Sequence, residues 1–193
     1  SSNPWDNWDA TFLFADRFNE ASINTSKWVV NGDGITQAGG IITIASTTSD
    51  NDEIESLQTF GEGICIEARL KSAHYASTSV TEGFGVMQTG DNRMVAWYSH
   101  PTYAGKYVNY LNSAVSTGDI VGWSANTWAI HQLYRDFASK WGVNDGSAVT
   151  ISENYQTANP LPICIVTSHN TAQIQVDWIF VRPRTTHEPT HGA

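Results

Sequence analysis

The dominant pattern along this chain is alternation. Apolar and polar residues exchange every second position in short runs, while the i, i+3, i+4 spacing of an amphipathic helix is nearly absent. The runs that read as strands are TFLFADRF (11–18), KWVV (27–30), IITIAS (41–46), ESLQTF (55–60), GICIEARLKS (63–72), GFGVMQT (83–89) and NRMVAWYS (92–99). KYVNYLN (106–112), TWAIHQLYRD (127–136), SKWGV (139–143), AVTIS (148–152), LPICIVTS (161–168) and AQIQVDWIFVR (172–182) follow. Gly, Asn, Asp and Ser clusters separate them. Asn144-Asp145-Gly146 supplies residues that tolerate φ > 0, so it predicts a tight hairpin folding KWGV against AVTIS. Gly39-Gly40 predicts a similar turn before IITIAS, and Pro160 and Pro162 mark the entry to a strand. Many strands without intervening helices predict an all-β, antiparallel two-sheet β-sandwich or jelly roll.

Domain organisation follows from where the pattern starts and stops. Residues 1–10 (SSNPWDNWDA) read as a lead-in segment and residues 11–182 as one sandwich domain. Residues 183–193 (PRTTHEPTHGA) read as a linker or tail, which suggests one module of a longer protein.

Composition narrows the classes of partner. Of 193 residues, 40% are hydrophobic and only 15% charged, a globular balance with enough chain for a sizeable core. No apolar run approaches the roughly 20 residues of a membrane-spanning helix. The net charge of −9, with ten basic residues scattered singly, would repel a polyanion, so nucleic acid is excluded as a partner. Cys65 and Cys164 lie in apolar strand-like runs far apart, with no metal-ligand spacing. They are either two buried thiols or an inter-strand disulfide, the latter only if their Cα atoms come within about 7 Å. Eight Trp and seven Tyr exceed what a core of this size requires, which directs attention to ring-lined surfaces.

In sequence order, several of these segments are familiar. FLFADRFNEASINTSKW, GGIITIAS, SLQTFGEGICIEARLKS, TWAIHQLYRDFASKWGVNDG and VDWIFVRP together resemble the concanavalin A-like jelly rolls, in particular the laminarinase and lichenase type of glucanase, over about residues 11–182. Similar modules occur in large bacterial and archaeal surface proteins. In such glucanases the strand after the GFGVMQTG-like segment carries three carboxylates at alternate positions, because only every second side chain of a strand points into the cleft. The matching strand here is NRMVAWYS. The expected register puts Arg93, Val95 and Trp97 on the cleft side and Met94, Ala96 and Tyr98 toward the core, and neither face offers a carboxylate. The acid–base chemistry of that family is therefore not expected on this strand.

Acids elsewhere are weighed separately. Asp52, Glu53 and Glu55 alternate before the Glu-Ala-Arg strand, where the resemblance implies an outer loop. They read as a solvated acidic loop, with a relocated acid pair or a cation site as the alternatives. Glu67 and Arg69 share a strand face and read as a structural ion pair.

A concave sheet rich in rings can hold a sugar by stacking, with a few polar groups taking the hydroxyls. Trp97, Tyr107 and Asn109 are the expected carbohydrate-binding residues, with Tyr103, Trp123 and Arg93 at the rim. The competing reading makes Trp97 and Tyr107 core rings. Trp128, Tyr134, Trp141 and Trp178 alternate with apolar neighbours and are expected in the core. His100 and His131 are expected to be structural or solvent-exposed. The resemblance also implies a structural Ca²⁺ on the convex side, held by Asp177 with backbone oxygens from Ala15 or Asp16 and from Gly39 or Gly40. The alternative is that Asp177 only accepts hydrogen bonds. Asn24-Thr25-Ser26 fits the N-glycosylation pattern, which matters only in an exported protein.

Three functions are compatible with these residues. The first is a non-catalytic carbohydrate-binding or adhesion module of an extracellular or cell-surface protein, with a polysaccharide or glycoconjugate as partner. The second is a polysaccharide-degrading enzyme with a non-standard acid–base set. The third is a structural subunit of a surface filament or envelope assembly, contacting neighbouring domains or copies of itself through residues 1–10.

Overall fold

In the computed structural model of the protein, the described residues are 11–47, 50–88, 92–111, 114–135, 140–144, 147–151 and 160–184. The lead-in segment and nearly all of the tail lie outside them, as does the Asp145-Gly146 turn. The regular elements are strands: β1 (Phe14–Asp16), β2 (Trp28–Asn31), β3 (Ile35–Ala38), β4 (Ile41–Ala45), β5 (Asn51–Phe60), β6 (Ile64–Ser72), β7 (Thr81–Gln88) and β8 (Asn92–Ser99). They continue as β9 (Lys106–Leu111), β10 (Ala114–Asp119), β11 (Ala129–Arg135), β12 (Lys140–Asn144), β13 (Ser147–Ile151), β14 (Leu161–Ser168) and β15 (Gln173–Pro183). No helix among the described residues is long and apolar enough to cross a membrane.

The strands form two antiparallel sheets, the layered sandwich that alternation predicts. One has seven strands in the order β10-β9-β8-β7-β14-β5-β2. The other has eight, in the order β13-β12-β11-β6-β15-β4-β3, with β1 also paired to β15. The non-sequential neighbours are long crossovers between sheets, as in a jelly roll. The β12–β13 hairpin pairs as expected, Asn144 opposite Ser147. Gly39 and Gly40 join β3 to β4 at φ +61° and +77°, the doubly positive geometry of a two-residue hairpin.

The core lies between the sheets and draws every second residue of the central strands. Ile64, Ile66, Ala68 and Leu70 of β6 meet Ile163 and Ile165 of β14, Phe84 and Val86 of β7, and Ile174, Val176, Ile179 and Val181 of β15. Near β1, Trp28 is sealed under Phe14 and Phe18. Its indole N–H donates to Asp16 Oδ2 at 2.7 Å.

Several expectations change. β3 and β10 were not predicted, since ITQA and AVSTGD carry too few apolar residues to show a period. Residues 51–54 are strand rather than loop, because β5 pairs with β14 along its acidic start, Glu53 opposite Val166 and Glu55 opposite Cys164. Trp128 and Trp178 are half-buried on the outer face of the eight-stranded sheet, not in the core. Tyr134 is buried, and Trp141 lies outside the residues whose side chains are described.

The two cysteines are free thiols. Cys65 alternates with the core-facing Ile64 and Ile66 of β6, and Cys164 with the core-facing Ile163 and Ile165 of β14. Each therefore points away from the interior of the sandwich, on opposite sides, so a disulfide is geometrically excluded.

Candidate functional site

The seven-stranded sheet contains β8, the strand on which the resemblance implies the cleft residues, and its outer face is the candidate surface. Strand register lays its residues out in rows. One row runs Asn31, Glu53, Val166, Gly83, Trp97, Lys106, Asp119. The next runs Val29, Glu55, Cys164, Gly85, Val95, Val108, Thr117. The centre is apolar. Val95, Trp97, Val108, Cys164 and Val166 form a second buried cluster, with Met87 and Tyr103 packed against it. Among the residues whose side chains are described, charge lies at the two ends of this face, Glu53 and Glu55 at one and the Lys106–Asp119 ion pair at the other.

β8 adopts the expected register. Val95 and Trp97 face outward, while Ala96 and Tyr98 enter the inter-sheet core. The Trp97 indole lies flat over Gly83, where an added Cβ would stand 2.3 Å from Cζ3. Above it the His100 ring sits 4.8 Å away, centroid to centroid, and Tyr103 stacks on His100 at 5.2 Å. His100 Nδ1 accepts from the backbone N–H groups of Thr102 and Tyr103, at 3.0 and 3.1 Å, which fixes the loop that carries Tyr103. Trp97 is only 4% exposed, whereas Tyr103 and His100 are half-exposed. The accessible rings are thus the two resting on Trp97, not Trp97 itself.

Tyr107 and Trp123 are corrections. β9 pairs with β8 so that Tyr107 stands opposite Ala96 and Val108 opposite Val95. Tyr107 therefore points into the core, 1% exposed, and Val108 takes the outer face. The β9 sequence has rings and aliphatics on both faces, so its alternation could not choose; the small Ala96 opposite Tyr107 does. Trp123 closes the end of the core, stacked on Tyr98 at 5.0 Å. Both surround His131, with Tyr107 Oη 3.5 Å from His131 Nδ1 and the Trp123 ring 4.3 Å from the imidazole. Burial pushes this histidine down to about 3, so it is neutral at all ordinary pH. Arg93 and Asn109 hold strand positions opposite Met87 and Met94, but their side chains lie outside the described residues.

The residues of the expected calcium set already have partners in the protein. Asp177 sits at the bulge of β15, and its carboxylate accepts from the Arg69 guanidinium. Asp16 accepts from Phe18 N–H through Oδ1 and from the Trp28 indole through Oδ2, both at 2.7 Å. The Ala15 carbonyl accepts from Lys27 Nζ at 2.7 Å. Gly40 is the second turn residue of β3–β4. A calcium ion would have to displace two side-chain cations and two N–H donors, so these residues as arranged do not fit it. Arg69 thus takes Asp177, while Glu67 accepts from Gln132 Nε2 at 2.5 Å and lies 3.9 Å from Arg182 Nη2.

Two arrangements were not foreseen from the sequence. Glu82, fully buried, accepts from Ser72 Oγ, His74 N (2.9 Å) and Gln173 N (2.8 Å), with His74 Nδ1 at 2.7 Å. It ties the ends of β6, β7 and β15 together. Glu53 and Glu55 converge with Cys164, a carboxylate oxygen from each and the sulfur all lying within 4.8 Å of one another. Burial, and then the Glu53 charge, raise the Glu55 carboxyl above its usual range. Only the strand pairing of β5 and β14, invisible in the sequence, brings these three together.

No family model matches the chain, and no curated protein matches it. Solved structures do. A prokaryotic β-1,3-1,4-glucanase (lichenase) from a mouse hindgut metagenome superposes with a TM-score of 0.70 at 16% identity, covering 88% of this chain and 98% of that one. A β-1,3-glucanase from Mycobacterium marinum gives 0.68 at 14% identity over 94% and 100%. The Bacillus licheniformis β-glucanase gives 0.66 at 15% over 89% and 98%. At these identities the likeness shows the fold alone: this chain is an antiparallel two-sheet jelly roll with the architecture of these glucanases.

Proposed function

We propose that this jelly roll is a carbohydrate-binding or adhesion module, displayed outside the cell or on its surface, that holds a polysaccharide or glycoconjugate without cleaving it. One observation carries the reading. On the strand where the resemblance implies three alternating carboxylates, the outer face carries Val95 and a Trp97 packed flat on Gly83, with no acid in either register. A retaining glycosidase needs two carboxyls about 5–5.5 Å apart across the scissile bond. Glu53 and Glu55 do bring two carboxylates together, but they lie three strands away from β8, about 14 Å at ordinary strand spacing. A buried thiol, not an open groove, adjoins them.

The rings available to a sugar are Tyr103 and His100. They form a half-exposed stack on a buried tryptophan, a rigid apolar platform of the kind that accepts the C–H face of a pyranose. The glucanases in the comparison make β-glucans the first ligands to try. The test is retention on insoluble β-glucans and a glycan array, with reducing-end release measured in parallel. The expected result is retention that Tyr103→Ala abolishes and no new reducing ends. Hydrolysis that disappears in Glu53→Gln would establish the enzyme reading instead. Absence of binding to every glycan, with self-association in solution, would leave the structural subunit.

A further inference from the structure

We propose that Glu53, Glu55 and Cys164 form a binding site for a divalent transition-metal ion of the zinc type. The site is separate from the Tyr103 platform and does not depend on the glycan reading.

The geometry comes from one strand pair. Cys164 of β14 stands directly opposite Glu55 of β5, and Glu53 lies two residues along the same face. Both carboxylates are half-buried and reachable from solvent. Two like charges this close are destabilising unless a cation compensates them. Among the described residues no Lys or Arg forms an ion pair with either, and the one polar contact is Asn31 Nδ2 to Glu53 Oε1 at 3.3 Å. The second observation is independent of the acids. Cys164 is fully buried and makes no hydrogen bond, and its sulfur is aimed at the carboxylates, within 4.8 Å of an oxygen from each.

A cation between the three atoms answers all of this. It neutralises the carboxylate pair and gives the sulfur a partner. Burial and the neighbouring acids raise both Glu55 and Cys164, a direction that a bound cation reverses. Ca²⁺ and Mg²⁺ take oxygen ligands throughout, whereas one thiolate beside two carboxylates selects a softer ion. Zinc bonds of about 2.0–2.2 Å to oxygen and 2.3 Å to sulfur put the donors about 3.6 Å apart in a tetrahedron. The two glutamates can close that distance by changing rotamer. On binding, the Cys164 proton and any Glu55 proton leave to solvent, so affinity falls as pH falls.

The test uses the full chain, with Co²⁺ alone and Zn²⁺ alone as probes. Co²⁺ should give a near-ultraviolet thiolate-to-cobalt band that saturates at one equivalent, and Zn²⁺ should bind with the same stoichiometry and raise Tm. Cys164→Ser should abolish the band, Glu55→Gln should weaken Zn²⁺ binding by about tenfold or more, and Cys65→Ser should change neither. A wild-type chain with no band and no zinc-dependent Tm shift overturns the proposal, as does a band that survives Cys164→Ser. Should Cys164→Ser fail to fold, full-strength zinc binding by Glu55→Gln overturns it equally.

Discussion

Trp97 lies over Gly83 so closely that the glycine has no room for a side chain: a Cβ there would stand 2.3 Å from the indole. β8 bulges at Tyr98, so that Ser99 and Trp97 stand opposite the consecutive Glu82 and Gly83 and the indole lies over the bare glycine backbone. The outer face of the sheet is thereby filled at its centre, and the accessible chemistry moves to its ends and its overlying loop.

Gly83→Ala should therefore destabilise the protein by about 1–3 kcal/mol, the range of core overpacking. Urea melts followed by tryptophan fluorescence measure it. Wild-type stability in this variant would mean that the indole is free to move off the glycine.

Tyr103 and Tyr107 should separate binding from folding. Tyr107→Ala removes a buried ring and should cost about 3–5 kcal/mol. Tyr103→Ala should cost far less stability while abolishing retention on a bound glycan. The comparison needs one thermal melt and one affinity column for each variant.

Glu82 should prove more important to folding than any acid on the surface. Glu82→Ala leaves the His74 and Gln173 N–H groups facing a void, each unmade bond costing about 1–3 kcal/mol, while the Ser72 hydroxyl keeps the His74 carbonyl as its acceptor. We expect a loss of at least about 3 kcal/mol, read from the urea midpoint at constant m-value.

His131 sets an acid limit on stability. Its folded-state value of about 3 lies below the ordinary 6.5 of an exposed imidazole. Between those values the unfolded chain binds a proton that the folded chain does not, so stability declines as pH falls from 6.5 toward 3 and levels off below. The slope from this group approaches 1.4 kcal/mol per pH unit in the middle of the window. Glu55, whose carboxyl is raised, acts in the opposite sense: its contribution is largest below the normal glutamate range and is lost as pH rises through its folded value. Unfolding midpoints from pH 3 to 8 in wild type and His131→Phe test this, with a flatter curve expected for the variant.

Reductant should leave Tm unchanged. Cys65 and Cys164 lie on opposite outer faces of different sheets and are both buried, so a thiol reagent should count two sulfhydryls only after denaturation. A Tm that falls on adding dithiothreitol would contradict the described packing.

The sequence by itself determined the all-β class, the hairpin at Gly39-Gly40, the pairing of β12 with β13, the outward face of β8 and the absence of acids on it. These follow from local alternation and turn chemistry, which a strand carries wherever it is placed. What lay beyond it were relationships between strands. Tyr107 was assigned to the wrong face because β9 is amphipathic on neither side, and only its register against Ala96 decides. Glu53 and Glu55 read as a loop because acids at a strand's start look like solvated chain until β14 supplies partners. Asp177 matched a calcium ligand in sequence, yet packing brings Arg69 to it first. Period two tells which residues share a face, but which face is covered, and by what, depends on partners far away along the chain, and only the folded sheets bring those partners together.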